Sequence, residues 1–152
     1  MNEKQYWRDE LKEQLIRHEG LKLNLYQCSA GKDTIGVGRN LSDRGISERE
    51  AMYLLDNDIN DIEKQVIKKC PFINDISEER KLVIFNMAFN LGVNGLLEFR
   101  MMLRALRFGH YDLAADEMLN SNWARQVGSR SLELSVMMRE GGHIDFSNKK
   151  NR

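Results

Sequence analysis

Proline is nearly missing from this chain: Pro71 is the only one in 152 residues. Cysteine is almost as scarce. Cys28 and Cys70 lie far apart in sequence, so they make no disulfide framework and no zinc-like spacing, and they read as a reduced pair made in a cytosol. The three histidines, His18, His110 and His143, are scattered, and neither a metal site nor another cofactor is expected. Net charge is absent as well, with 23 basic residues against 23 acidic. A dedicated nucleic-acid binder needs a basic excess, so that class ranks last. No apolar run approaches the ~18 residues of a membrane span. The first twenty residues, MNEKQYWRDELKEQLIRHEG, are charged throughout and lack the apolar region of a signal peptide. The expectation is a protein that does not carry itself across a membrane. Gly36 and Gly38 do not open a dinucleotide loop, because position 41 is leucine. No Ser-His-Asp spacing and no internal repeat is seen.

What is present is ordinary for a soluble globular protein: 41% hydrophobic and 30% charged residues, in a length that suits one domain or two small lobes. The zero charge hides an asymmetry. Residues 1–79 hold 12 basic against 16 acidic side chains, and residues 80–152 hold 11 against 7. A mildly basic second half suits an anionic polymer or a plain solvated surface.

From about Tyr6 to His18, Trp7, Leu11 and Leu15 recur at helical spacing with Ile16 beside them. Continuing that stripe puts Glu19 at the end of the buried face, with Gly20 as a natural stop. Partial burial and the negative end of the helix would both favour a neutral, proton-bearing carboxyl, as a general acid requires. From about Leu21 to Leu41 the helical period is lost. Leu23, Leu25 and Tyr26, a turn at Cys28–Gly31, and Thr34–Val37 suggest a hairpin or three-stranded sheet. Gly36 and Gly38 weaken a strand unless something approaches the backbone closely, such as a polymer laid along the edge. Thr34 shares their face and Asp33 points the other way. Ser42–Gly45 reads as a turn.

Ser47 and Glu50 form a capping box at the start of a long helix. Its stripe, Met52, Leu55, Ile59, Ile62 and Val66, ends near Cys70 because Pro71 follows. Ser77, with Glu78 and Glu79, caps another helix whose body, Leu82 to Leu91, is apolar nearly all round and predicts a central core helix. Asn86 and Asn90 interrupt it, as structural clips or as groups facing a cleft. Gly92 stops it. Helices are predicted over 96–108, 111–120 and 129–139, joined through Gly95, Gly109-His110 and Gly128. The methionines are read as core fillers. Residues 141–152 form a polar tail.

Laid out in this way, the chain resembles the phage-type lysozymes, the endolysin family of muramidases, from about Leu15 to Gly141. The family pattern is a catalytic glutamate, eight residues, aspartate or cysteine, five residues, then threonine. Glu19, Cys28 and Thr34 keep that spacing. The words HEG at 18–20, TIGVGRNL at 34–41, NMAFNLG at 86–92 and WARQVGSR at 123–130 fit as well. The resemblance implies an α+β, mostly α fold. It has a small β-containing catalytic lobe (14–46), a connecting helix (47–70) and a larger helical lobe (71–140), with a cleft between the lobes.

It implies hydrolysis of the β-1,4 bond between N-acetylmuramic acid and N-acetylglucosamine in bacterial peptidoglycan. Glu19 would protonate the leaving oxygen, Cys28 would hold or activate the attacking group, and Thr34 would help position water. Phe89 and Asn90 match sugar-binding positions. Arg130 matches an arginine that faces the glutamate, a pairing that would oppose the neutral form of Glu19. Many members carry aspartate where Cys28 stands, and histidine where Arg39 stands. Cys28 remains open as base, nucleophile or polar placeholder.

The expected setting is a monomer made in the host cytoplasm, which acts on the wall once a separate, holin-like membrane lesion admits it. Two other readings stand beside it. A lytic transglycosylase needs one acid and closes an anhydro ring. A non-catalytic peptidoglycan-binding module would bind the wall without releasing fragments.

Overall fold

A computed structural model describes residues 3–141, and the polar tail expected beyond Gly141 lies outside the described residues. The architecture is mostly helical with one small sheet, the α+β class expected. The chain divides into two units, Met1–Tyr53 and Leu54–Arg152, and the division falls inside the long helix.

The first unit begins with α1 (Glu3–Glu19), and three strands follow: β1 (Lys22–Gln27), β2 (Asp33–Gly36) and β3 (Arg39–Asn40). The sheet is antiparallel in the order β1-β2-β3, with Tyr26 opposite Thr34, Thr34 opposite Asn40 and Ile35 opposite Arg39. Gly20 stops α1 as predicted: its φ is +82° and its N–H donates to the Ile16 carbonyl at 2.8 Å. The burial expected of α1 is not found. Trp7, Leu11, Leu15 and Ile16 are all exposed, and so is Glu19. The sheet's own strands of six, four and two residues offer little apolar surface to cover such a stripe. Leu21, Leu23 and Leu25 of β1 and its approach are exposed too.

Residues 42–45, expected to be a turn, fall largely within a short helix, α2 (Leu41–Arg44). Asn40 is the reason: its side-chain oxygen accepts from the Asp43 N–H at 3.1 Å, and Gly45 ends the turn at φ +64°. The capping box forms as read, with the Glu50 N–H donating to Ser47 Oγ at 3.1 Å and the Ser47 N–H donating to Glu50 Oε1 at 3.0 Å. It opens α3 (Glu48–Lys69), 22 residues or about 33 Å long. The helix ends where Pro71 requires, and a 3₁₀ turn over Pro71–Asp75 follows. The α3 stripe is not evenly buried: Met52 and Ile59 are exposed and Val66 is fully buried.

The second unit continues with α4 (Glu78–Leu91), α5 (Val93–Leu97), α6 (Arg100–Arg107), α7 (Tyr111–Leu119), α8 (Asn122–Val127) and α9 (Ser129–Glu140). The helix expected over 96–108 is two, because Phe99 sits between α5 and α6 with non-helical backbone. The short α8 was not predicted; it starts where Ser121 Oγ accepts from the Ala124 N–H. The core contains Val66, Ile84, Met87, Leu96, Met102, Leu106, Met118, Trp123 and Met138, so the methionine reading holds for Met87, Met102, Met118, Met137 and Met138, while Met101 is exposed. In α4 the apolar run is divided. Val83, Ile84, Met87 and Ala88 are buried, while Leu82 and Phe89 are exposed. It is therefore a one-faced helix and not buried all round. Arg80 is also buried. Its guanidinium lies 3.3 Å from the centre of the Tyr111 ring, and it donates to the Met138 carbonyl at 2.8 Å and the Arg139 carbonyl at 3.2 Å, closing the end of α9.

Candidate active site

In the first unit the β1–β2 connection brings two predicted residues together. The Cys28 N–H donates to the Lys32 carbonyl at 3.0 Å and the Gly31 N–H donates to the Cys28 carbonyl at 2.8 Å, with Gly31 at φ +75°. Cys28 is half-buried at this tight turn. The Lys32 backbone, then the Ala30 backbone, hold the thiol below its ordinary pKa against the opposing effect of burial, and the Thr34 hydroxyl contributes less than either. Thr34 is 3% exposed, the one buried residue of this unit among those described. Its hydroxyl donates to the Lys32 carbonyl at 2.9 Å. It carries a single proton, so it can serve that carbonyl or turn to an ionised sulfur, but not both at once.

Glu19 closes α1 and lies against the turn that follows β2. A Cβ built on Gly38 would stand 2.9 Å from Glu19 Oε2, 3.2 Å from its Cγ and 3.3 Å from its Cβ. The close approach expected at these glycines therefore comes, at Gly38, from the chain's own carboxylate. Asp33 donates its backbone N–H to Ser42 Oγ at 2.9 Å, tying the start of β2 to α2.

The second unit carries the other three candidates. Asn90 accepts from Trp123 Nε1 at 2.8 Å. Arg130 donates through Nε and Nη2 to Asn86 Oδ1 at 2.9 and 2.7 Å. Both asparagines thus clip helices together, and Asn86 also faces a groove, so it takes both roles open to it. Phe89, Asn86 and Arg130 line an apolar groove of about 510 Å³ with Ile59, Ile62 and Phe85. Trp123 was not predicted as the partner of Asn90, and Asn86, read as a clip, was not paired with Arg130; these partners lie 33 and 44 positions apart in sequence.

A model of the family described as phage lysozyme matches residues 16–139. The chain belongs to the phage lysozyme family. Its relatives include a probable T4-type lysozyme of Dictyostelium discoideum, 30% identical across 86% of this chain and 94% of that one. An endolysin of Acyrthosiphon pisum secondary endosymbiont phage 1 is 28% identical across 76% and 79%. The pre-baseplate central spike protein Gp5 of Enterobacteria phage T4 is 26% identical across 85% of this chain and only 27% of its own length. Membership places the chain among the lysozyme-type glycosidases that hydrolyse peptidoglycan. Among the described residues no helix is long and apolar enough to cross a membrane, and no group of three His, Cys, Asp or Glu side chains is placed to hold a metal ion.

For a phage lysozyme without an aspartate at position 28, the thiol's surroundings carry weight. The two cysteines differ in the direction that matters: burial alone pushes the Cys70 thiol up, while donors pull Cys28 down. At pH 7 in the folded protein, iodoacetamide should label Cys28 at least ~10-fold faster than Cys70, because the thiolate is the reacting form. Peptide mass mapping over time reads this out, and equal rates would contradict it.

Proposed function

We propose that this protein is an endolysin muramidase that cuts the β-1,4 bond between N-acetylmuramic acid and N-acetylglucosamine. The observation that carries the reading is the Glu19, Cys28, Thr34 spacing in a phage lysozyme chain, with Cys28 at the turn that leads into Thr34's strand and Glu19 packed on the turn that leaves it. Glu19, protonated, gives its proton to the leaving glycosidic oxygen as the bond to the anomeric carbon breaks. Positive charge grows on the sugar ring, and an anionic group on the other side stabilises it. Cys28 is the group available there. Its thiolate either takes the proton of an attacking water or attacks the anomeric carbon itself. A thiol held below its ordinary pKa is compatible with either role. Thr34, through its single hydroxyl proton, is suited to orient the attacking group. Phe89 and Asn90, steadied by Trp123, are assigned to sugar binding, and Arg130, held by Asn86, to support.

Host lysis belongs to the same proposal, with the enzyme made in the host cytoplasm and admitted to the wall through a separate, holin-like lesion. A binding module with this fold would hold peptidoglycan without cutting it. Incubation with purified peptidoglycan separates the two: the enzyme clears the suspension and releases soluble fragments, and a module leaves the turbidity unchanged.

A further inference from the structure

Among the described residues, one side chain ties the strand after the floor beneath Glu19 to α3. Gly38, against which Glu19 packs, is followed directly by Arg39, the first residue of β3. Arg39 also pairs across the sheet with Ile35, the neighbour of Thr34. Its guanidinium makes a fork onto the beginning of α3: Nη1 donates to Glu50 Oε1 at 3.0 Å and Nη2 donates to Glu50 Oε2 at 2.7 Å. Nη1 also donates to the Gly45 carbonyl at 3.2 Å, so the same side chain holds the end of α2.

Glu50 is fixed in turn by the Ser47 capping box. A planar guanidinium meeting a carboxylate at two points sets direction as well as distance, which a lysine or a neutral side chain does not. Nothing else among the described residues ties β3 directly to α3 by a side-chain hydrogen bond.

We propose that Arg39, clamped by Glu50, is a positioning residue that holds the Gly38 floor and the Thr34 strand in place for catalysis. It touches no substrate and acts through Gly38 on Glu19 and through the β2–β3 pairing on Thr34. This rests on the muramidase reading above. The clamp persists through acidic media, because the Arg39 hydrogen bonds, with the Ser47 donors, hold the Glu50 carboxyl down at about 2. A depressed carboxylate contributes its stability above the unfolded value and loses it only as pH falls towards the folded one.

The test is steady-state kinetics on soluble, uncross-linked glycan strands, with Arg39→Met, Arg39→Lys, Glu50→Gln and the double variant Arg39→Met with Glu50→Gln. The expected result for Arg39→Met is a fall in kcat of about 30-fold or more, since small misplacements of catalytic groups cost up to 10²-fold, with KM moved less than ~3-fold. Arg39→Lys keeps the charge but not the fork and should fall between wild type and Arg39→Met. It also keeps the proposal open to refutation if the methionine variant does not fold. The double variant should lose no more than the worse single one, since the two side chains act as a unit. Hydrogen exchange at amides 34–40 should rise in parallel with the loss.

A folded Arg39→Met variant with wild-type kcat overturns the inference. So does a loss confined to KM, or losses at positions 39 and 50 that multiply. An inactive wild type would instead refute the muramidase reading, so the two failures are distinguishable.

Discussion

Glu19→Gln is expected to lower the rate of fragment release by about 10³-fold or more, because the amide cannot deliver the proton that a departing sugar oxygen requires. Glutamine has nearly the volume of glutamate, so it still fits against Gly38 and the local packing is kept. The variant should go on binding purified peptidoglycan, which separates lost chemistry from lost recognition. Release of soluble fragments, measured over hours, is the readout. A folded Glu19→Gln protein within ~10-fold of wild type would remove Glu19 from the role of acid.

Gly38→Ala is expected to cost about 10²-fold in kcat, through the same carboxylate approached from the other side. Two effects combine at this position. The backbone sits at φ +65°, where an L side chain is strained by roughly 1–2 kcal/mol. The new methyl would also meet Glu19 at Cγ and Cβ as well as at Oε2. Those inner atoms cannot swing aside as the far end of a flexible chain can, so α1 or the turn must shift.

Gly36 supplies the control. It has φ +70° and nothing within 4 Å of where its Cβ would stand. Gly36→Ala should therefore show the backbone strain without the displacement of Glu19, and lose at least ~10-fold less activity than Gly38→Ala. Equal losses in the two variants would mean that the turn's conformation matters and the Glu19 contact does not.

Local signals in the sequence were good guides to the backbone. Gly20 ends α1, Ser47 and Glu50 open α3, Pro71 ends it and Ser77 opens α4, because each of these is settled by atoms within four residues. A hairpin or three-stranded sheet could be seen from the break in helical period and the turn at Cys28–Gly31, and the two-residue β3 decides for three strands. Short helices were harder. The helices α2 and α8 depend on single capping side chains, Asn40 and Ser121, and the join of α5 to α6 depends on Phe99.

Burial was the least legible property. Periodicity says which face of α1 or α4 is apolar, not how much of it is covered, and Trp7, Leu82 and Phe89 remain exposed. At the candidate site, the resemblance to the family pattern named Glu19, Cys28 and Thr34. It did not show that Glu19 would fill the space that Gly38 leaves, nor that Arg39, in place of the family's frequent histidine, would take Glu50 as its partner. Those pairs lie 19 and 11 positions apart, and only the folded sheet and turn bring them together.

The measurement that tests the central claim most directly is the mass of the fragments released from purified peptidoglycan by the wild-type chain. Hydrolysis of the muramic acid linkage adds one water per cut, and every product should carry a reducing-end muramic acid. Anhydro-muramic ends, with no water gained, would contradict the hydrolase account and assign the chain to transglycosylase chemistry.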